Sequence, residues 1–330
     1  MKILLDGRPL LRPWMGGVPR LASLLVPAIS RALAPDELIT VETGLRTQKP
    51  LPNKWVAFLT FTGLSSYDRL FAEHQADALF LPNIEFVGRP ALPYALLVHD
   101  LSFLIEPGWF DWKSRLWHQL VKPKQLIKNA AHLFTVSETS KKDLERLLGV
   151  SSENISVIPL GLDQTPPADI TPFGLSGTRY LLCLGASNHR KNTECVIAAH
   201  RELVREEKYK DVKLVITGTP DYPRPSYEEL FALMRDAAAF CYPSWYEGFG
   251  MPLHEAARFG TPCIASTSSS LPEIAPTGTR FASPAKPHHW LEAMCQILDN
   301  PQDFKTQTSL STWDEAGQLI AKKLQEIAKK

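Results

Sequence analysis

The sequence lacks the features that mark membrane, secreted and nucleic-acid-binding proteins. No apolar run approaches the roughly 20 residues that a helix needs to cross a bilayer. The opening residues 1–5 run straight into Asp6 and Arg8, which is too short an apolar stretch for a secretory signal. The five cysteines form no C-x-x-C pair, which disfavours a disulfide frame or a zinc site, and a net charge of +1 gives no field to attract nucleic acid. We therefore expect a cytoplasmic protein, at most attached to the inner face of a membrane, with no nucleic-acid partner.

Two cofactor motifs are also missing. No G-x-G-x-x-G follows the first predicted strand, Lys2–Asp6, so a nicotinamide-binding protein is disfavoured. The chain offers no Asp-x-Asp pair and no His/Asp cluster, so we expect neither a metal site nor a resident cofactor.

What the chain does contain is an alternation of short buried strands and helices. With 330 residues, 44% of them apolar and 22% charged, it is long enough for two globular α/β domains. The proline-rich stretch 164–172 reads as the linker between them. We predict an N-terminal Rossmann-like domain over 1–166, a second over 167–312, and a last helix over 313–330 that begins with a capping box and packs back on the first domain.

The most informative stretch is 242–255, Tyr-Pro-Ser-Trp-Tyr-Glu-Gly-Phe-Gly-Met-Pro-Leu-His-Glu. It follows the apolar run 237–242, which predicts a strand buried on both faces, and it precedes a predicted helix over 252–259. Two glycines allow a ligand to approach the loop backbone closely, and a helix N-terminus presents N–H groups to an anion. Glu247 and Glu255 bracket this loop, and carboxylates accept hydrogen bonds from sugar and ribose hydroxyls. The stretch favours a nucleotide diphosphate that carries a sugar, although an ordinary strand–loop–helix unit would share part of this pattern.

The segment Glu247–Glu255 resembles the E-x7-E motif of the retaining GT-B glycosyltransferases, specifically the GT4 family, and the match continues through 256–262 and 269–273. The resemblance implies an α/β protein of the GT-B fold, with two doubly wound Rossmann-like domains facing each other across a cleft. Within that family, the chain resembles the bacterial mannosyltransferases.

The same resemblance assigns roles to residues along the whole chain. It implies that the catalytic residues are His99, Arg190, Lys191 and Glu247, and that the donor-binding residues are Gly16, Gly17, Gly248, Phe249, Gly250, Met251, Pro252, Leu253 and Glu255. From the residues alone, simpler explanations stay open. The glycine pair would fit a plain turn, the histidine a structural role, and the Arg-Lys pair an exposed surface.

The chain departs from the family pattern after the predicted strand 213–218. Family members usually continue with a helix and a further strand that leads to the base-binding loop. Here the chain passes from Thr219 directly to a helix that starts at Ser226, so about one βα unit is absent and the base site is in question.

The segment 109–128 has two interpretations. Basic residues alternate with tryptophans and Asp111 is its only acid, which is typical of a surface helix that docks on anionic lipid. A solvated amphipathic helix whose tryptophans belong to the core explains the same pattern.

These features together predict a metal-independent hexosyltransferase. The donor would be a nucleotide sugar, GDP-mannose or a UDP- or dTDP-hexose, and the acceptor a sugar or a lipid-linked hydroxyl in polysaccharide or glycolipid assembly. The alternatives are a nucleotide-sugar-binding protein without turnover and another GT-B activity such as epimerisation.

Overall fold

A computed structural model of the chain describes residues 1–11, 16–41, 73–87, 90–169, 173–185 and 188–329. The chain divides into two compact units. Unit 1 comprises Met1–Gly161 together with Ser311–Lys330, and unit 2 comprises Leu162–Leu310. The last segment of the chain thus belongs to unit 1, so that unit 2 is inserted between two parts of unit 1.

Unit 1 is built on a parallel sheet of six described strands in the order β2-β1-β3-β4-β5-β6. Because helices cover a parallel sheet on both faces, its strands are nearly continuous apolar runs, and every residue of β3 and β4 is buried. The strands are β1 (Lys2–Asp6), β2 (Glu37–Val41), β3 (Ala78–Leu81), β4 (Tyr94–Val98), β5 (His132–Thr135) and β6 (Ile155–Val157).

The described helices of unit 1 begin and end at residues suited to the purpose. The helix Glu138–Leu148, for example, starts after Ser137, whose hydroxyl accepts a hydrogen bond from the Ser140 N–H, and stops at Gly149 with a φ of 67°. The helices are α1 (Gly17–Leu33), α2 (Ser102–Ile105), α3 (Trp112–Val121), α4 (Pro123–Lys128), α5 (Glu138–Leu148) and, at the end of the chain, α11 (Trp313–Ala328).

Helices α1 and α11 pack against each other at very short range. A Cβ atom added at Gly317 of α11 would lie 2.5 Å from the carbonyl carbon of Ala28 in α1, so only glycine permits this approach. The apolar face of α11, which includes Ile320 and Leu324, is fully buried in unit 1.

The predicted single helix over 109–128 is wrong, because the structure has two helices there. They are separated at Lys122, which adopts the left-handed conformation with a φ of 52°. Pro123 explains the break, because a proline disfavours the helical conformation of the residue before it and supplies no N–H to the preceding turn.

Unit 2 repeats the architecture with five parallel strands in the order β11-β10-β9-β7-β8. The strands are β7 (Tyr180–Leu184), β8 (Lys213–Thr217), β9 (Ala239–Tyr242), β10 (Cys263–Ser266) and β11 (Arg280–Ala282). The helices are α6 (Thr193–Leu203), α7 (Tyr227–Asp236), α8 (Met251–Ala257), α9 (Leu271–Ile274) and α10 (Pro287–Asp299).

The connection from β8 to α7 contains no further βα unit. Residues 218–226 make a compact turn in which the Gly218 N–H donates to the Tyr222 carbonyl, and α7 then starts at a capping box formed by Ser226 and Glu229. Strand β8 pairs on one side only, with β7, and is an edge of the described sheet.

The five cysteines are free thiols, and all but Cys295 are buried. Burial raises the pKa of Cys183 and of Cys263 to about 12, so neither thiol ionises near neutral pH. They serve as small apolar residues of the unit 2 core.

Candidate functional site

The strand order of unit 2 creates one distinctive place at the carboxyl edge of its sheet. From β7 the chain moves outward to β8 on one side, then crosses back to β9 on the other side. Loops that leave β7 and β9 therefore diverge, and in open α/β sheets ligands bind in the crevice at such a reversal. Gly185 follows β7 at this point, and Pro243 follows β9.

The predicted catalytic pair lies in the first of these loops, within a 3-10 turn over His189–Lys191. The side chain of Asn188 accepts a hydrogen bond from the Arg190 N–H, which caps the turn. The Asn192 amide donates to the carbonyls of Pro243 and Pro284, at 3.1 and 2.8 Å, so the turn is fixed to the loop beyond β9. Gly185 has a φ of +83°, and a Cβ there would lie 3.0 Å from Cγ of Lys191.

The second loop brings Glu247 against both cations. Its Oε2 lies 2.9 Å from Nη1 of Arg190 and its Oε1 lies 2.8 Å from Nζ of Lys191. The side chains are 18%, 17% and 9% exposed for Arg190, Lys191 and Glu247, respectively. We call these three residues the ion cluster. Two adjacent cations thus converge on one carboxylate, an arrangement that can also contact an anionic ligand.

The electrostatics of the ion cluster follow from its burial. Burial alone would raise the pKa of Glu247, but the charges of Lys191 and Arg190 outweigh it and hold that pKa at about 2. Burial lowers the pKa of Lys191, against the opposing effect of the Glu247 charge. Glu247 is thus ionised at neutral pH, and it can accept hydrogen bonds but not donate them.

Two serines hold the Glu247–Gly250 loop by its backbone. The Glu247 N–H donates to Oγ of Ser269 at 2.8 Å. The hydroxyl of Ser270 bonds to the carbonyls of Glu247 and Phe249, at 2.8 and 2.9 Å. Because both serines contact main-chain atoms on either side of Glu247, they fix where its carboxylate lies.

The glycine of this loop that precedes α8 is sterically required. Gly250 has a φ of 120°, and a Cβ there would lie 2.8 Å from Cδ2 of Leu271. The first turn of α8 offers fewer amides than the sequence pattern predicts. Pro252 has no N–H, and the Leu253 N–H donates to the Gly250 carbonyl at 3.0 Å, so only the Met251 N–H of these three positions is available to a ligand.

The remaining predicted donor-binding residues of unit 2 adjoin this loop. Phe249 stacks on His254 with ring centroids 5.3 Å apart. Glu255 is buried in α8, and its charge is one of the influences that raise the pKa of Tyr242, which places it within electrostatic reach of the ion cluster. Residues 248–253 and Glu255 are therefore brought together with Arg190, Lys191 and Glu247 in one unit.

Three predicted residues lie in unit 1. Gly16, with a φ of 139°, directly precedes α1, and Gly17 is its first residue; a Cβ at either would meet nothing within 4 Å. His99 follows β4, and its Nε2 lies 2.8 Å from the Pro82 carbonyl. Burial lowers the pKa of His99, so its ring is neutral near pH 7. Since a carbonyl only accepts hydrogen bonds, Nε2 carries the proton and Nδ1 is left as an acceptor.

Sequence reasoning missed the side chains that hold the site rather than form it. The sequence predicted Tyr242 only as the last residue of a buried strand. In the structure its hydroxyl oxygen lies 2.7 Å from Nζ of Lys191. Ser269 and Ser270 were noted as part of the family match, without a role. A polar hydroxyl that ends an otherwise apolar strand was the available signal for Tyr242. The partners of the serines are 21 or more residues away, which no local pattern reveals.

The described residues contain no group of three or more His, Cys, Asp or Glu side chains placed to hold a metal ion. Among the helices described, none combines the length and the apolar character that crossing a bilayer requires.

Relatives of known activity resemble large parts of the chain. The MMP alpha-(1->4)-mannosyltransferase of Mycolicibacterium hassiacum is 30% identical over 221 residues, which are 60% of this chain and 53% of that protein. The O-antigen chain mannosyltransferase B of Escherichia coli is 29% identical over 220 residues, which are 56% of each chain. The chain thus spans about half the length of the curated relatives it matches.

A solved structure shares the whole fold. Sucrose-phosphate synthase from Thermosynechococcus elongatus superposes with a TM-score of 0.65 at 18% identity, covering 100% of this chain and 96% of that one. At this identity the likeness concerns the fold alone. Together with the two parallel-sheet units, it confirms the predicted GT-B fold.

Family models match both units. Residues 23–165 match the model described as Glycosyltransferase Family 4, and residues 178–300 match the model described as Glycosyl transferases group 1. The first segment includes His99, and the second includes the ion cluster and the E-x7-E motif. The chain belongs to the GT4 family of GT-B glycosyltransferases.

Proposed function

We propose that the protein transfers a hexose from a nucleotide diphosphate sugar to a hydroxyl acceptor with retention of the anomeric configuration. The observation that carries this proposal is the ion cluster, in which Arg190 and Lys191 share the single carboxylate of Glu247 at the strand reversal of unit 2. The two cations suit the oxygens of a diphosphate, and the adjoining carboxylates suit the hydroxyls of a sugar and a ribose.

The difficult step is the departure of the nucleoside diphosphate. As the bond between the anomeric carbon and the phosphate oxygen breaks, negative charge grows on the leaving oxygen. Arg190 and Lys191 are already held in place by Glu247 and by the main chain, so they stabilise this charge without reorganising. The acceptor oxygen bonds to the anomeric carbon from the same face, and its proton passes to the leaving phosphate. The products are the glycoside and the free nucleoside diphosphate.

The other predicted residues fit supporting roles. Each oxygen of Glu247 bonds one cation and retains capacity to accept a sugar hydroxyl. Glu255 is assigned to the ribose diol, and the backbone of residues 248–253 to the diphosphate. His99, Gly16 and Gly17 are assigned to the donor sugar and diphosphate from unit 1. The neutral ring of His99 suits contact with a hydroxyl better than with phosphate.

The donor is proposed to be GDP-mannose or a UDP- or dTDP-hexose, and mannose is favoured because both relatives described above are named mannosyltransferases. A thermal-shift screen of GDP-, UDP- and dTDP-sugars tests this first, since a ligand of the native state raises the unfolding temperature. Turnover is then measured as release of free sugar or transfer to an acceptor. Binding without either reaction would favour a nucleotide-sugar-binding protein, and inversion at C2 of the bound sugar would favour an epimerase.

An anionic membrane surface is proposed as a further partner, through helix α3. Trp112, Leu116 and Leu120 of this helix are 65%, 47% and 45% exposed, and they are three of the five most exposed large apolar side chains of the described chain. Trp117 instead packs on the core of unit 1, so the tryptophans do not all serve one purpose.

Exposed cations surround this apolar face. They are Lys113 and Arg115 on α3, Lys122 at the break, and Lys124 on α4. A cavity of about 510 Å³ opens beside them, with Phe103, Leu104 and Pro107 in its wall. Each cation near an anionic bilayer contributes about 1 kcal/mol, which suits reversible docking and a lipid-linked acceptor.

Cosedimentation with liposomes that contain anionic lipid tests the membrane proposal. The pair Lys113→Ser and Arg115→Ser should weaken binding at low salt, and Trp112→Ser should weaken it at low and high salt alike. The control pair Lys141→Ser and Lys142→Ser removes the same charge from α5 of the same unit and should change little. No binding at low salt, or equal losses in both pairs, would contradict the role of α3 and leave the glycosyltransferase proposal intact.

A further inference from the structure

A buried tyrosine hydroxyl completes the surroundings of the ion cluster. Tyr242 is the last residue of β9 and is only 2% exposed. Its Oη lies 2.7 Å from Nζ of Lys191, and the same ammonium lies 4.6 Å from the centroid of the tyrosine ring. Removing a hydroxyl from water without a partner is unfavourable, so its occurrence in an apolar strand requires a polar partner, and that partner is Lys191.

The protonation state of Tyr242 suits this contact. Burial, together with the charge and the hydrogen bond of Glu247, raises the pKa of Tyr242 well above its ordinary range, so it remains a phenol at neutral pH. Its oxygen accepts a hydrogen bond from Lys191, which also donates to Glu247, so the ammonium links the two side chains.

The ring of Tyr242 is itself held. It stacks on Phe240, two residues earlier on the same face of β9, with centroids 5.7 Å apart and planes inclined by 28°. Strand β9 lies between β7 and β10, near the middle of the sheet. The hydroxyl thus projects from a rigid element to a lysine, a side chain with a flexible four-carbon stem and a point charge.

We propose that Tyr242 is a positioning residue for the transfer reaction: its hydroxyl holds the Lys191 ammonium at the carboxyl end of β9, ready for the donor diphosphate. The two contacts recorded for this ammonium use two of its three N–H donors, and the third is available to a phosphate oxygen. Without the hydroxyl, the ammonium would keep only Glu247 of these two hydrogen-bond acceptors and would be drawn toward that carboxylate. This inference rests on the proposed function, because it assigns Lys191 to the leaving group.

The chain offers a matched control. Tyr180, the first residue of β7, is fully buried, and its hydroxyl bonds the Leu233 carbonyl at 2.8 Å. Tyr180→Phe and Tyr242→Phe each remove one buried tyrosine hydroxyl from the same sheet. Their strands are adjacent, but Tyr180 lies at the amino end of β7 and Tyr242 at the carboxyl end of β9. A purely structural hydroxyl and a positioning hydroxyl can therefore be distinguished.

The test compares Tyr242→Phe, Tyr180→Phe, Lys191→Ala and the double variant Lys191→Ala/Tyr242→Phe. The readouts are kcat and KM for the donor, the pH profile, and calorimetric binding of GDP and UDP. Tyr242→Phe should lower kcat at least about 10-fold with a smaller change in KM, since small displacements of a catalytic group are costly. Its alkaline limb should move to lower pH, because the ammonium loses an acceptor that favours its charged form. Tyr180→Phe should change neither.

In the Lys191→Ala background, Tyr242→Phe should add no further loss, because the two residues act through one interaction. The proposal is overturned if Tyr242→Phe behaves like Tyr180→Phe, or if the losses of the two single variants multiply in the double variant. If the unaltered protein binds and turns over no nucleotide sugar, the proposed function fails instead. NMR titration of the Lys191 ammonium then decides the role of Tyr242 alone, since an unchanged Lys191 titration in Tyr242→Phe would overturn it.

Discussion

The two units have the same sheet topology but fill its reversal point with different chemistry. In each, the second strand lies on one side of the first, and the third, fourth and fifth strands follow on the other side. In unit 1, the reversal between β1 and β3 holds Asp6 and Arg8, joined by hydrogen bonds of 2.7 to 3.2 Å and only 0% and 4% exposed. In unit 2, the same place holds two cations for one carboxylate.

The difference shows what distinguishes a structural ion pair from a binding site on one scaffold. The charge of Arg8 is matched by Asp6, and its guanidinium also donates to the Phe86 carbonyl, so the pair fixes the loop after β3 to the end of β1. The ion cluster of unit 2 joins two cations through one carboxylate, and its side chains remain partly exposed. Topology provides the crevice in both units, but the cations described at the reversal of unit 2 are more exposed than Arg8, so an anion can reach them more readily.

Breaking the pair of unit 1 is expected to have the largest effect, and the effect should be on stability. Arg8→Ala leaves the Asp6 carboxylate buried without its partner, and we expect a loss of about 3–5 kcal/mol in the free energy of unfolding. Urea denaturation measures it. The control is Arg31→Ala, which breaks an ion pair with Asp314 whose two side chains are each 62% exposed; it should cost less than about 1 kcal/mol. Equal losses in the two variants would contradict a structural role for Arg8.

Removing a cation from unit 2 should affect catalysis instead. Arg190→Ala and Lys191→Ala should each lower turnover by roughly 10²-fold, and affect donor affinity less, because the charge they face grows in the transition state. Steady-state kinetics with the accepted donor measure both quantities. Arg201→Ala removes an exposed cation from α6 of the same unit and should have little effect. Near-normal turnover in both site variants would remove these residues from the mechanism.

The two carboxylates of the E-x7-E motif should act on different parts of the donor. Glu255→Ala should weaken binding of the nucleoside diphosphate by about 1–3 kcal/mol, because the ribose hydroxyls lose their acceptor. Glu247→Gln removes the charge shared by the two cations but keeps the shape, so this binding should persist while sugar transfer falls. Calorimetry and turnover assays on the same preparations measure both. If both variants lose the nucleoside diphosphate equally, the division of roles is wrong.

Acid should destabilise both units, in part through His132 in unit 1 and His254 in unit 2. Burial lowers the pKa of His132 in unit 1 and of His254 in unit 2 to about 4, from an ordinary value near 6.5. The folded state therefore favours the neutral rings. Stability from this source is complete above about pH 6.5, declines as pH falls toward about 4, and then levels off. Glu247 contributes at lower pH, between about 4.5 and 2.

Each histidine should account for about 2–3 kcal/mol of the loss between about pH 7 and pH 4. The variants His254→Asn and His132→Gln retain the position of the nitrogen that bonds Thr308 and Ser156, respectively, but do not titrate. Both should show a flatter dependence of unfolding free energy on pH. His288→Asn alters an exposed ring and should leave the dependence unchanged. Curves that coincide for all four proteins would contradict the assignment.

The sequence was sufficient where local pattern determines the structure. The apolar runs that became β1, β4 and β9 could hardly be anything but buried strands, and the family resemblance assigned Arg190, Lys191 and Glu247 before their contacts were visible. The absence of a further βα unit between β8 and α7 could also be predicted. The predicted assignments of individual residues to the donor remain predictions that the experiments above address.

The sequence was insufficient where the structure depends on long-range contacts or on competition between local preferences. Tyr242, Ser269 and Ser270 act on residues remote in the chain, so their roles became visible only in the folded structure. The amphipathic pattern over 109–128 hid the break at Lys122, although Pro123 was a local signal for it. The amide of Leu253 was predicted to be available, but the first turn of α8 uses it internally.

The insertion of unit 2 into unit 1 has a consequence for how the protein is made. Helix α11 packs on α1 with glycine-to-backbone contact at Gly317, yet about 150 residues separate the last strand of unit 1 from this helix. During translation at roughly 5–20 residues per second, α11 is therefore made about 8–30 s after the last strand of unit 1, and later still after α1. For that interval the nascent first unit exposes the apolar surface that α11 later covers. We expect chaperones to bind this apolar surface of the incomplete unit 1. Unit 2 needs no later segment and is complete once its last strand and helix have been made.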